Sequence, residues 1–332
     1  MWKLLACAMV FCVAASAQSL NGAGASFPAP IYQKWFSEYS ASHRGVQINY
    51  QSLGSGAGIR QVIAGTVDFG ASDGPMTDEQ LGQAGRKILH IPTVLGGVVP
   101  AYNIHGVRQE LKFTPELLAG IFLGHINNWA DPQIAKVNPG VRFPNLPIIV
   151  VHRSDGSGTS FIFTDYLSKV SPEWKSRVGA NTAVKWPVGL GGKGNEGVAG
   201  QVRQMDGAIG YVELIYAVQN NISYGSVRNK AGNFVKASLE TVTAAAAGAA
   251  ANMPADYRVS ITNSDGKNSY PIASFTWLLI PQQSKDGAKG RVLHDFLDWM
   301  LQTGQTQAGT LSYAPLPKEV VKKVKATVES IH

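Results

Sequence analysis

VQINYQSLGSGAGIRQVIAGTVDFGASDGP, residues 46–75, contains the pattern on which the rest of the chain is read. Val46 to Leu53 alternates apolar and polar side chains as a strand does. Gly54-Ser55-Gly56-Ala57-Gly58 then opens a helix whose inner face carries Ile59, Val62 and Ile63. Val67 to Ala71 reads as a second strand, and Ser72-Asp73-Gly74-Pro75 turns the chain into another helix beginning near Thr77. Strand, helix and strand in this order predict an α/β chain, with a parallel sheet covered by helices on both faces. Just upstream, Gly22 to Pro30 reads as a Gly/Ala/Ser/Pro loop that leads into a helix with Ile31, Trp35, Phe36 and Tyr39 on one face.

Further along, Ile88 to Ile104 is long, apolar and nearly uncharged, with Gly96 and Gly97 in its middle. Tyr270 to Ile280 is a second such stretch. The two read as crossings between lobes, with the segment between them inserted and the helices at Arg291 to Gln302 and Lys318 to Ser330 returning to the first lobe. Two consecutive domains also fit the pattern. Val242 to Ala251 is Ala-rich and predicts a plain helix.

The 332 residues are 45% apolar and only 15% charged, with 36 Gly and 17 Pro. Charged residues make up about 25% of an average soluble chain. So low a charge excludes a disordered acidic or basic tail, and the composition is not that of a coiled coil. Lys3, the apolar run Leu4 to Val13 and Ala15-Ser16-Ala17 together form a secretory signal peptide, residues 1–17, with cleavage near Ala17 and export to the periplasm. Leu4-Leu5-Ala6-Cys7 resembles a lipobox but has almost no apolar region before it. Both cysteines, Cys7 and Cys12, fall in this segment, so the mature chain has no thiol, disulfide or Cys-metal site. The one basic run, Lys318, Lys322, Lys323 and Lys325, alternates with Val320, Val321, Val324 and Val328. That is a helix packed on one face and solvated on the other, without the stacking aromatics of a nucleic-acid site.

Three loops place Gly and hydroxyls directly before helical segments: Gly24-Ala25-Ser26-Phe27-Pro28, Gly54 to Gly58, and Asp155-Gly156-Ser157-Gly158-Thr159-Ser160. A helix start leaves about four backbone N–H groups unpaired and carries roughly half a positive charge, so it favours an anion. Glycine lets the backbone approach closely, and Ser or Thr adds a rotatable donor. Three such loops, with Arg153 beside the third, point to a convergent oxyanion site. None matches the nucleotide-binding P-loop pattern. Gly70-Ala71-Ser72-Asp73-Gly74 does fit a nucleophile elbow, with His294 as a downstream partner for Ser72 in an exported hydrolase or phosphatase. Gly189 to Gly194 fits G-x-G-x-x-G, but Trp186-Pro187 before it is poor strand material. The seven His show no metal-binding spacing, and no metal or cofactor is expected.

Taken in order, GAGASFPAP (22–30), VDFGASD (67–73), RSDGSGTS (153–160), VKWPVGLGGKGN (184–195) and GAIGYVE (207–213) resemble the phosphate-binding proteins of bacterial high-affinity phosphate ABC transporters. The resemblance spans essentially the whole mature chain. It implies a two-lobed periplasmic binding protein of type II, each lobe a mixed, mostly parallel sheet flanked by helices, joined by two hinge crossings. Lobe I would be 18–95 with 273–332, and lobe II 96–272. Such a protein is a monomer without catalytic activity that closes on one dehydrated inorganic phosphate. It delivers the ion to membrane permease subunits driven by a cytoplasmic ATPase. The resemblance puts phosphate ligands at Ala25 (through its backbone), Ser26, Phe27, Ser55, Asp73, Arg153, Ser157, Gly158 and Thr159, with Asp155 paired to Arg153. His152 stands where relatives commonly have Arg.

Within that resemblance, Asp73 sets the selectivity. An ionised carboxylate only accepts hydrogen bonds, so it can face phosphate only through a P–OH, which sulfate lacks. Another reading of Asp73 is a cap on the helix near Thr77. A binding protein for another oxyanion, such as sulfate or molybdate, would have no use for that carboxylate.

Overall fold

In a computed structural model, which describes residues 18–332, the chain builds a mixed α/β fold of two lobes on a continuous sheet. The expected signal segment, with both cysteines, lies outside the described residues. Eight strands are β1 (Gln18–Gly24), β2 (Val46–Ser52), β3 (Phe69–Ser72), β4 (Ile88–Asn103), β5 (Ile149–Arg153), β6 (Leu190–Gly192), β7 (Ala208–Glu213) and β8 (Ala273–Pro281). They lie in the order β2-β1-β3-β8-β4-β7-β5-β6, and Ser223–Tyr224 adds a short ninth strand against β4. The first three strands pair in parallel, as do β5, β6 and β7. The antiparallel pairs of this sheet all involve β4 or β8: β8 joins β3 and β4, and β4 joins β7 and the short ninth strand.

The long strand β4 belongs to both lobes. Its first part, Ile88 to Gly97, pairs with β8, and its second, Val98 to Asn103, pairs with β7. At the change of partner the Val98 N–H donates to the carbonyl of Ile272, 2.8 Å away, so the two chain crossings are hydrogen-bonded to each other. Every residue of β8, and all of β4 up to Tyr102, is buried. That explains the two apolar stretches in the sequence, since a central strand covered on both faces has no polar alternation.

Helix α1 (Ala29–Ser42) buries Ile31, Trp35, Phe36 and Tyr39, the expected face. Helix α2 (Ser55–Ala64) buries Ile59 and Val62, and the short helix α3 (Asp78–Gln83) follows β3. Helices α4 (Gly158–Val170) and α5 (Gly194–Gln204) follow β5 and β6. The Ala-rich run is helix α6 (Leu239–Ala251). Helices α7 (Gly287–Trp299) and α8 (Lys318–Val328) return to lobe I, where Phe296 of α7 packs on Phe36 at 5.2 Å between ring centroids. On α8, Val320, Val324 and Val328 are fully buried.

One expectation fails. Gly22 to Gly24 is not loop but the end of β1, the central parallel strand of lobe I. Its small residues reflect crowding, for a Cβ on Gly22 would lie 2.1 Å from the Phe69 ring.

Candidate functional site

The three Gly-hydroxyl loops all lie at carboxyl ends of strands. Ala25 to Pro28 follows β1, Leu53 and Gly54 follow β2, and Ser154 to Ser157 follow β5. Asp73 comes directly after β3. In an open α/β sheet this is the edge where ligands bind. The loops meet across the boundary between the lobes. The Gly56 N–H donates to the carbonyl of Gly156 at 2.8 Å, and the Gly158 N–H to the Ser55 hydroxyl at 3.0 Å. The Tyr216 hydroxyl of lobe II donates to the carbonyl of Ser26 at 2.6 Å. Ser26, Phe27, Ser55, Asp73, Arg153, Ser157 and Thr159 are all at most 3% exposed. The structure buries these seven residues where the loops meet.

Glycine is required at this contact. Gly54 has φ +92°, and a Cβ there would strike the Asp155 carboxylate at 2.2 Å. Gly158 begins α4 with ordinary helical geometry, but its Cβ would lie 2.6 Å from the Asp73 side chain and from the Ser55 hydroxyl.

Donors dominate the interior. The Ser55 hydroxyl accepts from Gly158 N–H and from Asp73 N–H, the latter at 3.2 Å. Ser157 caps α4, its hydroxyl accepting from the Ser160 N–H at 3.0 Å. Among the described residues, the backbone N–H groups of Phe27 and Thr159 have no acceptor. Arg153 is the cation at the centre, and Asp155 already holds it in a bidentate grip. Nε donates to Oδ1 at 2.8 Å, and Nη2 donates to Oδ2. Burial pushes the Asp155 carboxyl up, but the guanidinium outweighs it and holds the group below its ordinary value. His152 stacks on Trp186 at 4.9 Å and is a packing residue here.

Among the described residues, Asp73 is a buried carboxylate of this interior with no cation paired to it. Thr276 donates to Oδ1 at 2.8 Å, and Ser55 is 3.5 Å from Oδ2. Burial pushes its pKa up to about 7, against the opposing pull of the Thr276 hydrogen bond and the Arg153 charge. It is not a helix cap. Thr77 caps α3 in a reciprocal capping box with Gln80, which removes that reading of Asp73.

A family profile described as a PBP superfamily domain matches residues 13–303. A phosphate-binding protein PstS from Pasteurella multocida is 48% identical, over 95% of this chain and 91% of its own length. One from Haemophilus influenzae is also 48% identical, over 94% and 93%. The chain belongs to the PstS phosphate-binding protein family. A solved phosphate-binding protein from Stenotrophomonas maltophilia, 22% identical, shares the fold with a TM-score of 0.68 over 93% of this chain and 94% of that one.

The PstS family is one of substrate-binding proteins, not enzymes, and the geometry agrees. Ser72 is buried and its hydroxyl is engaged with the backbone of Gly74, donating to the carbonyl and accepting from the N–H. His294 sits on the outer face of α7 beside Asp295 and Glu329. The two groups of the supposed hydrolase pair thus have separate, complete local partners. The G-x-G-x-x-G segment does form a strand, β6, leading into α5. What it delivers is Asn195, fully buried, whose N–H and side-chain amide both donate to the Ser26 hydroxyl, at 3.1 and 2.9 Å. Sequence reasoning passed over Asn195, although it stands at the first turn of a helix behind a glycine-rich loop, as the other ligand loops do.

Two predictions follow from this packing. Gly158→Ala adds a methyl that α4 tolerates but the closed interface does not. It should melt like the parent, yet bind phosphate, the ion its PstS relatives are named for, about 10–100-fold more weakly, the cost of overpacking by 1–3 kcal/mol. Parent-like affinity in calorimetry would show that the two loops do not close this tightly. The second concerns pH. With a folded pKa of about 7 against 3.8 ordinarily, Asp73 keeps its proton in the folded chain after the unfolded chain has lost it. The contribution of Asp73 to stability is then complete below about pH 4, is lost as pH rises towards 7, and is absent above it. Without ligand, Asp73→Asn should gain thermal stability over the parent across that interval, and a gap that does not change with pH would contradict the burial of the carboxyl.

Proposed function

We propose that this chain binds inorganic phosphate in the cleft between its lobes and delivers it to an ABC importer. Lobe I comprises residues 18–95 and 273–332, and lobe II residues 96–272. The ion is held by the Ser26, Ser55, Ser157 and Thr159 hydroxyls, backbone N–H groups of Phe27 and Thr159, and the Arg153 guanidinium, while Gly158 lines the site with its N–H on the Ser55 hydroxyl. Ala25 lends only its backbone, and Asp155 orients Arg153. Removal of residues 1–17 leaves the protein as a monomer in the periplasm, where it meets integral-membrane permease subunits whose ATPase is cytoplasmic. Among the described residues, no helix is long and apolar enough to cross a membrane.

The observation that carries this reading is Asp73, a buried carboxylate with no cation paired to it, set among donors. Fully deprotonated oxygens of a tetrahedral ion suit the donors. One X–OH group suits Asp73. Phosphate near neutral pH presents both, whereas sulfate would set an acceptor against an acceptor in a dehydrated cleft. The relatives named above support the choice of ion. The rest of the function rests on direct chemistry: closure removes water, so each donor works in a medium of low dielectric.

Titration calorimetry of the mature chain with phosphate and sulfate tests the reading. Phosphate should bind one to one and sulfate should give no saturable heat. Asp73→Asn, whose amide can donate, should admit sulfate. Arg153→Ala should weaken phosphate binding by about 2–5 kcal/mol, partly because Asp155 is left buried without its partner. Equal binding of both ions by the parent would overturn the reading in favour of a general oxyanion carrier.

A further inference from the structure

Asn195 reaches two of the proposed ligand hydroxyls at once. Its side-chain nitrogen donates one hydrogen to Ser26, at 2.9 Å, and the other to Thr159, at 3.0 Å. Its side-chain oxygen accepts from the Glu213 N–H at 2.9 Å. A backbone N–H can only donate, so this last bond fixes which end of the amide faces the hydroxyls. All of it is buried, with Asn195, Ser26 and Thr159 each at most 1% exposed.

A hydroxyl has one proton to give and two lone pairs with which to accept. Ser26 accepts twice, from the backbone and the side-chain nitrogen of Asn195. Thr159 also accepts twice, from Asn195 and from Arg153 Nη1 at 3.3 Å. Both hydroxyls therefore have their acceptor capacity filled, and only the proton remains free. Ser55 reaches the same condition through two backbone N–H groups. Asn195 belongs to lobe II and Ser26 to lobe I, so the Ser26 hydroxyl is polarised in this way only when the cleft is shut.

We propose that Asn195 is a positioning residue that, on closure, turns the Ser26 and Thr159 hydroxyls into obligate donors. This rests on the phosphate reading of the same site. A free serine or threonine hydroxyl can face either an oxygen or an X–OH group. One whose lone pairs are filled can face only an oxygen. Asn195 thereby removes two ambiguous contacts and leaves Asp73 as the acceptor for the ion's proton. It does so without touching the ion.

The test uses two double-mutant cycles, with phosphate as ligand and calorimetry as readout, each variant first checked for a parent-like thermal transition. Asn195→Ala should weaken phosphate binding about tenfold, the scale of one hydrogen bond between neutral groups. Combined with Ser26→Ala or with Thr159→Val, it should cost clearly less than the product of the two single losses, because its effect runs through those hydroxyls. The Thr159 cycle is decisive because Asn195 and Thr159 lie in the same lobe. Coupling to Ser26 alone would mean that Asn195 merely latches the lobes, and would overturn the orienting role. Losses that multiply in both cycles, or parent-like affinity of Asn195→Ala, would also overturn it. Should Asn195→Ala fail to fold, Asn195→Asp serves. It keeps the acceptor for Glu213 but draws the hydroxyl protons to itself, so binding should be at least as weak, and parent-like affinity would again overturn the proposal. A parent that gives no heat with phosphate contradicts the phosphate reading itself. A parent that binds, with additive cycles, contradicts only the role of Asn195.

Discussion

The central cation of the site is already neutralised by a neighbour, and the rest of the cleft is arranged around that constraint. Arg153 is 3% exposed and gripped by both oxygens of Asp155. It can point N–H groups at an anion, but it brings little net charge that Asp155 has not met. A buried anion must then be held chiefly by oriented dipoles. That demands many donors, and no single loop supplies enough. The donors come instead from three strand ends in two lobes, which only converge when the lobes touch.

The touching surfaces are correspondingly bare. Gly54, Gly56, Gly156 and Gly158 let two loops meet backbone to backbone, with Gly56 and Gly156 bonded directly. A larger residue at these places would hold the donors apart and leave water between them. The proposed hinge is equally economical. The crossings at Gly97–Val98 and Ile272–Ala273 are neighbours on the sheet, joined by a hydrogen bond, which is where a rotation of one lobe against the other would pivot. Asp73 completes the arrangement as an acceptor among donors. Ionised, it has no proton to give, so a ligand that brings its own proton is favoured over one that brings none.

Much of this was legible in the sequence, for reasons that differ by element. The helices α1 and α2 declared themselves through apolar spacing, and β4 and β8 through uninterrupted apolar runs. The loops at Ser26, Ser55 and Ser157 were legible because three of them recur in one chain with Arg153 beside the third, whereas a single one is ordinarily no more than a helix cap. Strand β1 was hidden, since Gly22-Ala23-Gly24 has the composition of a loop and owes Gly22 to the Phe69 ring, 47 positions away, and Gly24 to the backbone of Ala71. Asn195 was hidden for a related reason. Its worth lies in reaching Ser26 of the other lobe, 169 residues away, and no local pattern encodes that distance. Whether Asp73 was a cap or a site residue also needed coordinates, because Thr77 had to be seen taking the capping role.

The most direct test of the whole account is a crystal structure of the mature protein grown with phosphate and without sulfate. One tetrahedral ion should lie between the lobes, with Ser26, Ser55 and Thr159 each donating to it. An Asp73 oxygen should lie about 2.5–2.7 Å from one oxygen of the ion, the spacing of an O–H bonded to a carboxylate. An ion bound in one lobe only, or one from which Asp73 is turned away, would contradict the claim that a shut wall of donors and one acceptor selects the ligand.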